Sequence, residues 1–253
     1  MAQVGLHGLA GLVIGERILT RFVKSRVARR ALLWGFVVGN MVPDLDYVAV
    51  VATYPVDQTL AMHLHRSFSH SLLAALAVGV GFELIALLLR DQYARFLGYG
   101  LAWGIVGHIL FDILIWFSPV DLFWPLSVWG IIPPVNLWSW WSTSFMAGQL
   151  LGAAEFLAFA VYYDRLASLG QALGTNPDDV PMVQRMATLC LIIWAVLTGL
   201  AIDFPVMTYN AVVYVALGLV FMPAVMYLTW RMQPTIEVWA VKAKTRKTKS
   251  NPG

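Results

Sequence analysis

The sequence predicts an all-α integral membrane protein. It has about six to seven transmembrane helices and a Trp/Pro-rich segment on the outer side that is re-entrant or interfacial. Two observations carry this. First, 59% of the 253 residues are hydrophobic and only 12% are charged, with mean hydropathy +0.71. A water-soluble domain carries about 25% charged residues, and this chain is too poor in them to cover a wetted surface. Second, apolar stretches near the roughly 20 residues that cross a bilayer recur along the chain. They fall at about 4–20, 31–53, 70–89, 96–117, 144–163, 186–203 and 207–230. The single cysteine, Cys190, excludes an internal disulfide and a thiolate-built zinc site.

The first stretch, "MAQVGLHGLAGLVIGERILTRF", lacks the basic start and the small-residue cleavage site of a signal peptide, so it reads as a retained first helix. Positive charge then orients the rest. With seven spans, "RFVKSRVARR" (21–30), "RDQYAR" (90–95), the linker flanked by Arg165 and Arg185, and the C-terminal tail all share one side. Together with Arg17 and Arg231 at helix ends, they hold sixteen of the seventeen Lys and Arg. The positive-inside rule makes that side cytoplasmic, which puts the C-terminus inside. Only Arg66 falls on the outer side. The outer segment 118–143 contains five of the eleven tryptophans and four prolines. Tryptophan favours the headgroup zone and proline prevents a simple helix. This segment reads as a lid over the outer face or as a plain aromatic belt. Three parts follow: a membrane core with its lid (1–143), C-terminal transmembrane helices (144–232) and a basic tail (233–253) expected to be disordered.

Ionisable groups within membrane spans are costly and are functional candidates by default. Here they gather at one depth. His7 lies near the outer end of the first span. Asp44 and Asp46 follow Pro43 in the second. His65 and His70 open the third, and His108 and Asp112 lie in the outer half of the fourth. His108 and Asp112, four residues apart, share a helix face. Asp44 and Asp46 point together on an extended segment and diverge if the helix continues. His65 and His70 can both face inward only if a helix begins between them, with Ser67 or Ser69 as its N-cap. Imidazole plus carboxylate without thiolate suits zinc, manganese or iron, and a pair of ions suits phosphoester hydrolysis.

Each piece also has a structural reading. The aspartates at 44 and 46 can cap a broken helix, "HRSFSHS" can be a loop, and His108 with Asp112 can be a buried hydrogen-bonded pair. His63 reads as solvent-facing, and Glu16 and Asp203 as structural. Glu83 and Glu155 lie deeper, with no role evident from their positions.

The segments "GLHGLAG", "GNMVPDLDYV", "HRSFSHSLL" and "GHILFDILIWFSPVDLFWPLS" occur in this order. They resemble the membrane-bound, metal-dependent hydrolases of bacteria and archaea typified by YdjM, also called LexA-binding inner-membrane hydrolases. The resemblance covers about residues 5–127. It matches His7, Asp44, Asp46, His65, Arg66, His70, Ser71, His108 and Asp112 to the family pattern, with Trp124-Pro125 after them. Ser67 and Ser69 stand where the family has Gly and Thr, and Asp121 stands near a family Gly. What it implies is a divalent metal, zinc foremost, as one or two ions held by Asp44, Asp46, His65, His70, His108 and Asp112 with His7. It also implies Asp44 or Asp46 as proton acceptor, Arg66 as holder of an anionic phosphate, and a phosphoester or lipid-linked substrate at the outer leaflet of the inner membrane. Membrane lipids are then the expected partners, with no nucleic acid. Two other classes compete. A scaffold subunit with a structural metal needs a closed site. An ion or proton transporter needs polar groups along a path to both faces, whereas these cluster on one.

Overall fold

The computed structural model describes residues 4–15, 17, 23–53, 56, 57, 60, 61, 64, 67–115, 119–137, 145–203, 213 and 220–249. Their helices are α1 (Val4–Ile14), α2 (Arg26–Gly39), α3 (Asp46–Thr53), α4 (Leu72–Leu89), α5 (Gln92–Ile115), α6 (Phe145–Leu173), α7 (Val180–Asp203), α8 (Met222–Arg231) and α9 (Gln233–Lys249). Among the described residues the only extended pairing is an isolated bridge between Val120 and Val135.

Three of these helices are long and apolar enough to cross a membrane, over Leu72–Leu89, Gln92–Leu114 and Val180–Ala201. A fourth crossing is possible if Arg26–Gly39 and Val42–Thr53, bent by 42° at their junction, count as one broken span. The further spans expected at 4–20, 144–163 and 207–230 fall on other ground. The first is the 11-residue α1, about 16 Å long and too short to cross alone. The second lies on α6, and the third has its first half mostly outside the described residues and its second half on α8.

The bend has a local cause. Pro43 removes a backbone donor, and Val42–Leu45 tightens into a 3-10 turn before α3 begins at Asp46. The segment bearing both aspartates is therefore a broken helix and not an extended strand. A second 3-10 turn, Phe68–His70, leads into α4. The N-cap of α4 is Ser71, whose hydroxyl accepts from Ala74 N at 3.1 Å. This replaces the expected Ser67 or Ser69 cap.

Helices α2 and α5 pack backbone to backbone. Gly35 and Gly39 face Gly100 and Gly104, and a Cβ added at Gly104 would lie 2.5 Å from the Phe36 carbonyl oxygen and 2.7 Å from the Gly39 Cα. Small residues four apart let membrane helices approach this closely. The main core lies on the other side, where Phe156, Phe159, Tyr162 and Tyr163 of α6 pack with Phe221, Leu33 and Met41. Helix α1 lies between α2 and α6.

The C-terminal segment departs from expectation. It is helical to Lys249. Thr235, Ile236, Glu237 and Ala240 are buried, and α9 packs on α2 and α6. Burial of that face, with Glu237 held by Arg30 at 2.8 Å, supplies the order that a basic composition alone would not.

Candidate metal centre

Four elements bring His7, Asp44, His70, His108 and Asp112 to one point, each 2% exposed or less. Helix α1 supplies His7, the 3-10 turn after Pro43 supplies Asp44, and the turn before α4 supplies His70. Helix α5 supplies His108 and Asp112 from one face, as their spacing predicts. His70 Nε2 lies 3.0 Å from His108 Nε2. Asp44 Oδ1 is 3.7 Å from the first and 3.6 Å from the second. Asp112 Oδ2 is 3.5 Å and 3.7 Å from the same two nitrogens.

The second nitrogen of each ring fixes what these atoms are. His108 Nδ1 is 2.7 Å from the Asn40 carbonyl oxygen. A carbonyl only accepts, so Nδ1 donates and the neutral ring turns a lone pair on Nε2 toward the centre. Ser69 Oγ donates to Asp46 Oδ2 at 2.7 Å and lies 3.0 Å from His70 Nδ1. Asp46 Oδ2 is itself 3.3 Å from that nitrogen. With two acceptors against it, Nδ1 of His70 carries the proton, and its Nε2 also faces inward. Two imidazole nitrogens and two carboxylate oxygens thus converge in a dry site that needs positive charge. A proton shared between the two Nε2 atoms serves that pair but not the carboxylates. A cation serves all four.

The donor set passes a simple test of size. Five of the six edges of this tetrahedron run from 3.0 to 3.7 Å. A tetrahedral ion with bonds of about 2.1 Å has edges of about 3.4 Å. Two overlapping triads can hold a metal: Asp44 with His70 and His108, and His7 with His108 and Asp112.

Each expected residue has a definite standing. His7 stacks on His108 with ring centroids 3.7 Å apart, and its Nε2 is 3.2 Å from Asp112 Oδ1 and 4.0 Å from Asp44 Oδ2. It therefore meets the oxygens of both carboxylates that turn away from the tetrahedron. Asp46 lies in neither triad. It sits on the far nitrogen of His70, where a carboxylate orients a metal-binding ring. Asp44 and Asp46 thus grip opposite sides of one imidazole. His65 and Arg66, like His63 and Glu16, lie outside the described residues. Glu83 has a structural role, 3.0 Å from Arg95 Nε and 2.9 Å from the Tyr99 hydroxyl. Asp121, in the outer turns, accepts from Trp124 N through its backbone carbonyl.

The spacing of side chains did not reveal the Asn40 carbonyl, because a backbone acceptor leaves no residue-type signal. The GxxxG pairs at 35/39 and 100/104 were visible and explain how it gets there. They bring α2 and α5 together one turn before His108. Over the centre, Leu72 N donates to Leu122 O at 3.0 Å, and Phe68 meets Trp124 edge to face at 5.2 Å. Val128, Trp129 and Ile131 of the same turn-rich segment point outward, each more than 60% exposed.

No curated protein and no solved structure matches the chain. The family model described as YdjM inner membrane protein matches residues 1–236. The match takes in every helix through α8 and only the start of α9, and the chain belongs to the YdjM inner membrane protein family.

Proposed function

We propose that this protein is a membrane-bound, metal-dependent hydrolase acting on a phosphoester of a lipid or lipid-linked substrate at the outer leaflet. The observation that supports it most is the convergence of two imidazole lone pairs and two carboxylate oxygens, with the far nitrogen of each ring bonded outward. His70, His108, Asp44 and Asp112 would hold the ion, zinc foremost, and His7 would steady both carboxylates or help hold a second one. A bound divalent ion supplies Lewis acidity and a water of lowered pKa.

The chain's own groups do the rest. Asp44 Oδ2, buried without a hydrogen-bond partner and 4.0 Å from His7 Nε2, would take the proton of the attacking water. Oxygen from water bonds to phosphorus, the ester P–O bond breaks, and the leaving alkoxide receives the proton. Asp46 and Ser69 keep His70 oriented, and Arg66 would hold the phosphate through its fork of donors. A lipid substrate is supported by an apolar groove of about 320 Å³ lined by Pro43, Phe68, Ser69, Ala74, Ala77 and Ile105. Pro43 and Ser69 immediately precede Asp44 and His70. The groove runs beside α4, of which only 17% is buried, leaving its apolar face for acyl chains.

The topology we propose has six to seven spans, the C-terminus in the cytoplasm and the centre outward. A Ser67→Cys variant should react with an impermeant thiol reagent on intact cells. Labelling only after lysis would refute the outward site.

Complete burial of all five residues favours a second reading, a closed structural metal in a membrane scaffold. Metal analysis of purified wild type beside Asp112→Ala and His70→Ala, with hydrolysis of a chromogenic phosphodiester, separates the two. The hydrolase reading expects bound metal and metal-dependent turnover in wild type and loss of both in the variants. Bound metal without turnover supports the scaffold, and wild type without metal sinks both.

A further inference from the structure

We infer that Glu155 is the positioning residue for His7, so that the C-terminal helices complete a centre whose other ligands all come from the N-terminal half. This rests on the metal-centre reading above. Glu155 lies on α6, is 1% exposed, and accepts from Gly5 N at 2.8 Å through Oε1. Its other oxygen is buried without a hydrogen-bond partner. A carboxylate half-satisfied in an apolar interior is expensive, and a leucine would fill the same space more cheaply. Packing therefore does not account for it.

Its single bond falls on the first turn of α1, where backbone N–H groups have no partner within the helix. Besides Val4 and Leu12, which are buried in the core, much of the packed surface of α1 is glycine. A Cβ added at Gly5 would lie 2.6 Å from Phe159 N, at Gly8 3.0 Å from the Tyr162 ring, and at Gly11 3.0 Å from Val37 Cα. Glycine surfaces allow close approach but give little to stop a helix sliding or turning. The Glu155 bond is the directional contact that sets the register of α1. His7 is two residues further along, and its Nε2 must meet Asp112 Oδ1 at 3.2 Å. A slip of one residue would rise about 1.5 Å and turn the side chain by about 100°.

The test uses full-length protein loaded with cobalt(II), whose visible spectrum reports its ligand geometry. Glu155→Gln keeps an acceptor for Gly5 N and should give the wild-type spectrum and affinity. Glu155→Leu should give the spectrum of His7→Ala and bind about 10-fold more weakly, in the range seen when an orienting partner is lost. The double variant should be no worse than either single one. A wild-type spectrum in Glu155→Leu, losses that multiply in the double variant, or a Glu155→Gln that behaves like the leucine variant would each overturn the inference. Glu155→Ala carries the same expectations if Glu155→Leu does not fold. Carbethoxylation of His7, read by mass spectrometry, needs no metal. His7 should be protected in wild type and Glu155→Gln and modified in Glu155→Leu. Wild type that binds no cobalt refutes the metal reading, while protection of His7 in Glu155→Leu refutes the positioning role.

Discussion

Near Arg30, the carboxylate of Glu237 has one oxygen held by the Arg30 guanidinium, at 2.8 Å from Nε, and the other by the Tyr93 hydroxyl at 2.6 Å and Gln233 Nε2 at 2.8 Å. Around His108 the arithmetic is reversed. Lone pairs of nitrogen and carboxylate face one another at 3.0–3.7 Å, and the far nitrogens of His108 and His70 are turned outward to Asn40, Ser69 and Asp46. The first cluster is complete as protein and ties α9 to α2 and α5. The second is a buried His/Asp group with the donor atoms to hold a cation. Buried polarity as such does not mark a functional site. Polarity that its own neighbours leave with one sign of charge does.

Four experiments test that contrast. The largest effect is expected for Asp112→Ala, which removes a ligand of one triad and one corner of the tetrahedron. Metal affinity should fall by at least about 100-fold in equilibrium dialysis, whereas Glu237→Ala should leave metal content at the wild-type level. Equal metal loss in the two would erase the distinction. Next comes Asp46→Ala, which frees His70 to rotate and should weaken metal binding by about 10–100-fold with little change in Tm.

Third is Gly104→Leu. The new side chain meets the Phe36 carbonyl and the Gly39 backbone, so α2 and α5 must separate, at a cost of about 1–3 kcal/mol. Both Tm and metal affinity should drop, because the Asn40 carbonyl moves away from His108. Gly81→Ala, with nothing within 4 Å of its added Cβ, should change neither for the worse.

The smallest effect is at Glu237. Burial alone would raise its pKa, but hydrogen bonds from Tyr93, Gln233 and Arg30 outweigh that and hold it below the ordinary value of 4.5. Its folded value is depressed, so its contribution is fully present above 4.5 and is lost as pH falls through the depressed value. Glu237→Gln should lower Tm by about 2–4 °C near neutral pH, equivalent to about 1 kcal/mol, and the gap from wild type should close in acid. A gap that persists unchanged into strong acid would show that the charge is not what Arg30 recognises.

Much of the centre was legible in the sequence because membrane interiors make polar residues conspicuous. Asp44, His70, His108 and Asp112 were readable for that reason, and the i, i+4 spacing of the last two set their shared face. His7 was less legible, since a lone histidine on a short helix has no partner within its own segment. Asp46 was readable as close to the centre but not as facing the outer nitrogen of His70, because the 3-10 turn after Pro43 decides which way each carboxylate swings. The roles of Glu83 and Glu155 depend on Arg95, Tyr99 and Gly5, contacts that no periodicity encodes. The order of α9 was missed for a related reason: the tail is basic in composition, and it is ordered by a face that only the folded neighbours reveal.

The seating of α1 on α6 has a consequence for biogenesis. Asp44, His70, His108 and Asp112 have all been synthesised by the time α5 is made, and chains fold broadly in order of synthesis. His7 is synthesised before any of them, yet its helix, which lies between α2 and α6, lacks one of its two walls until α6 follows. The earliest histidine is therefore the last to arrive. A chain stalled after α5 is expected to carry the tetrahedral donors without His7, and so to take up metal with the wrong affinity. Correct loading would then be tied to completion of the polypeptide.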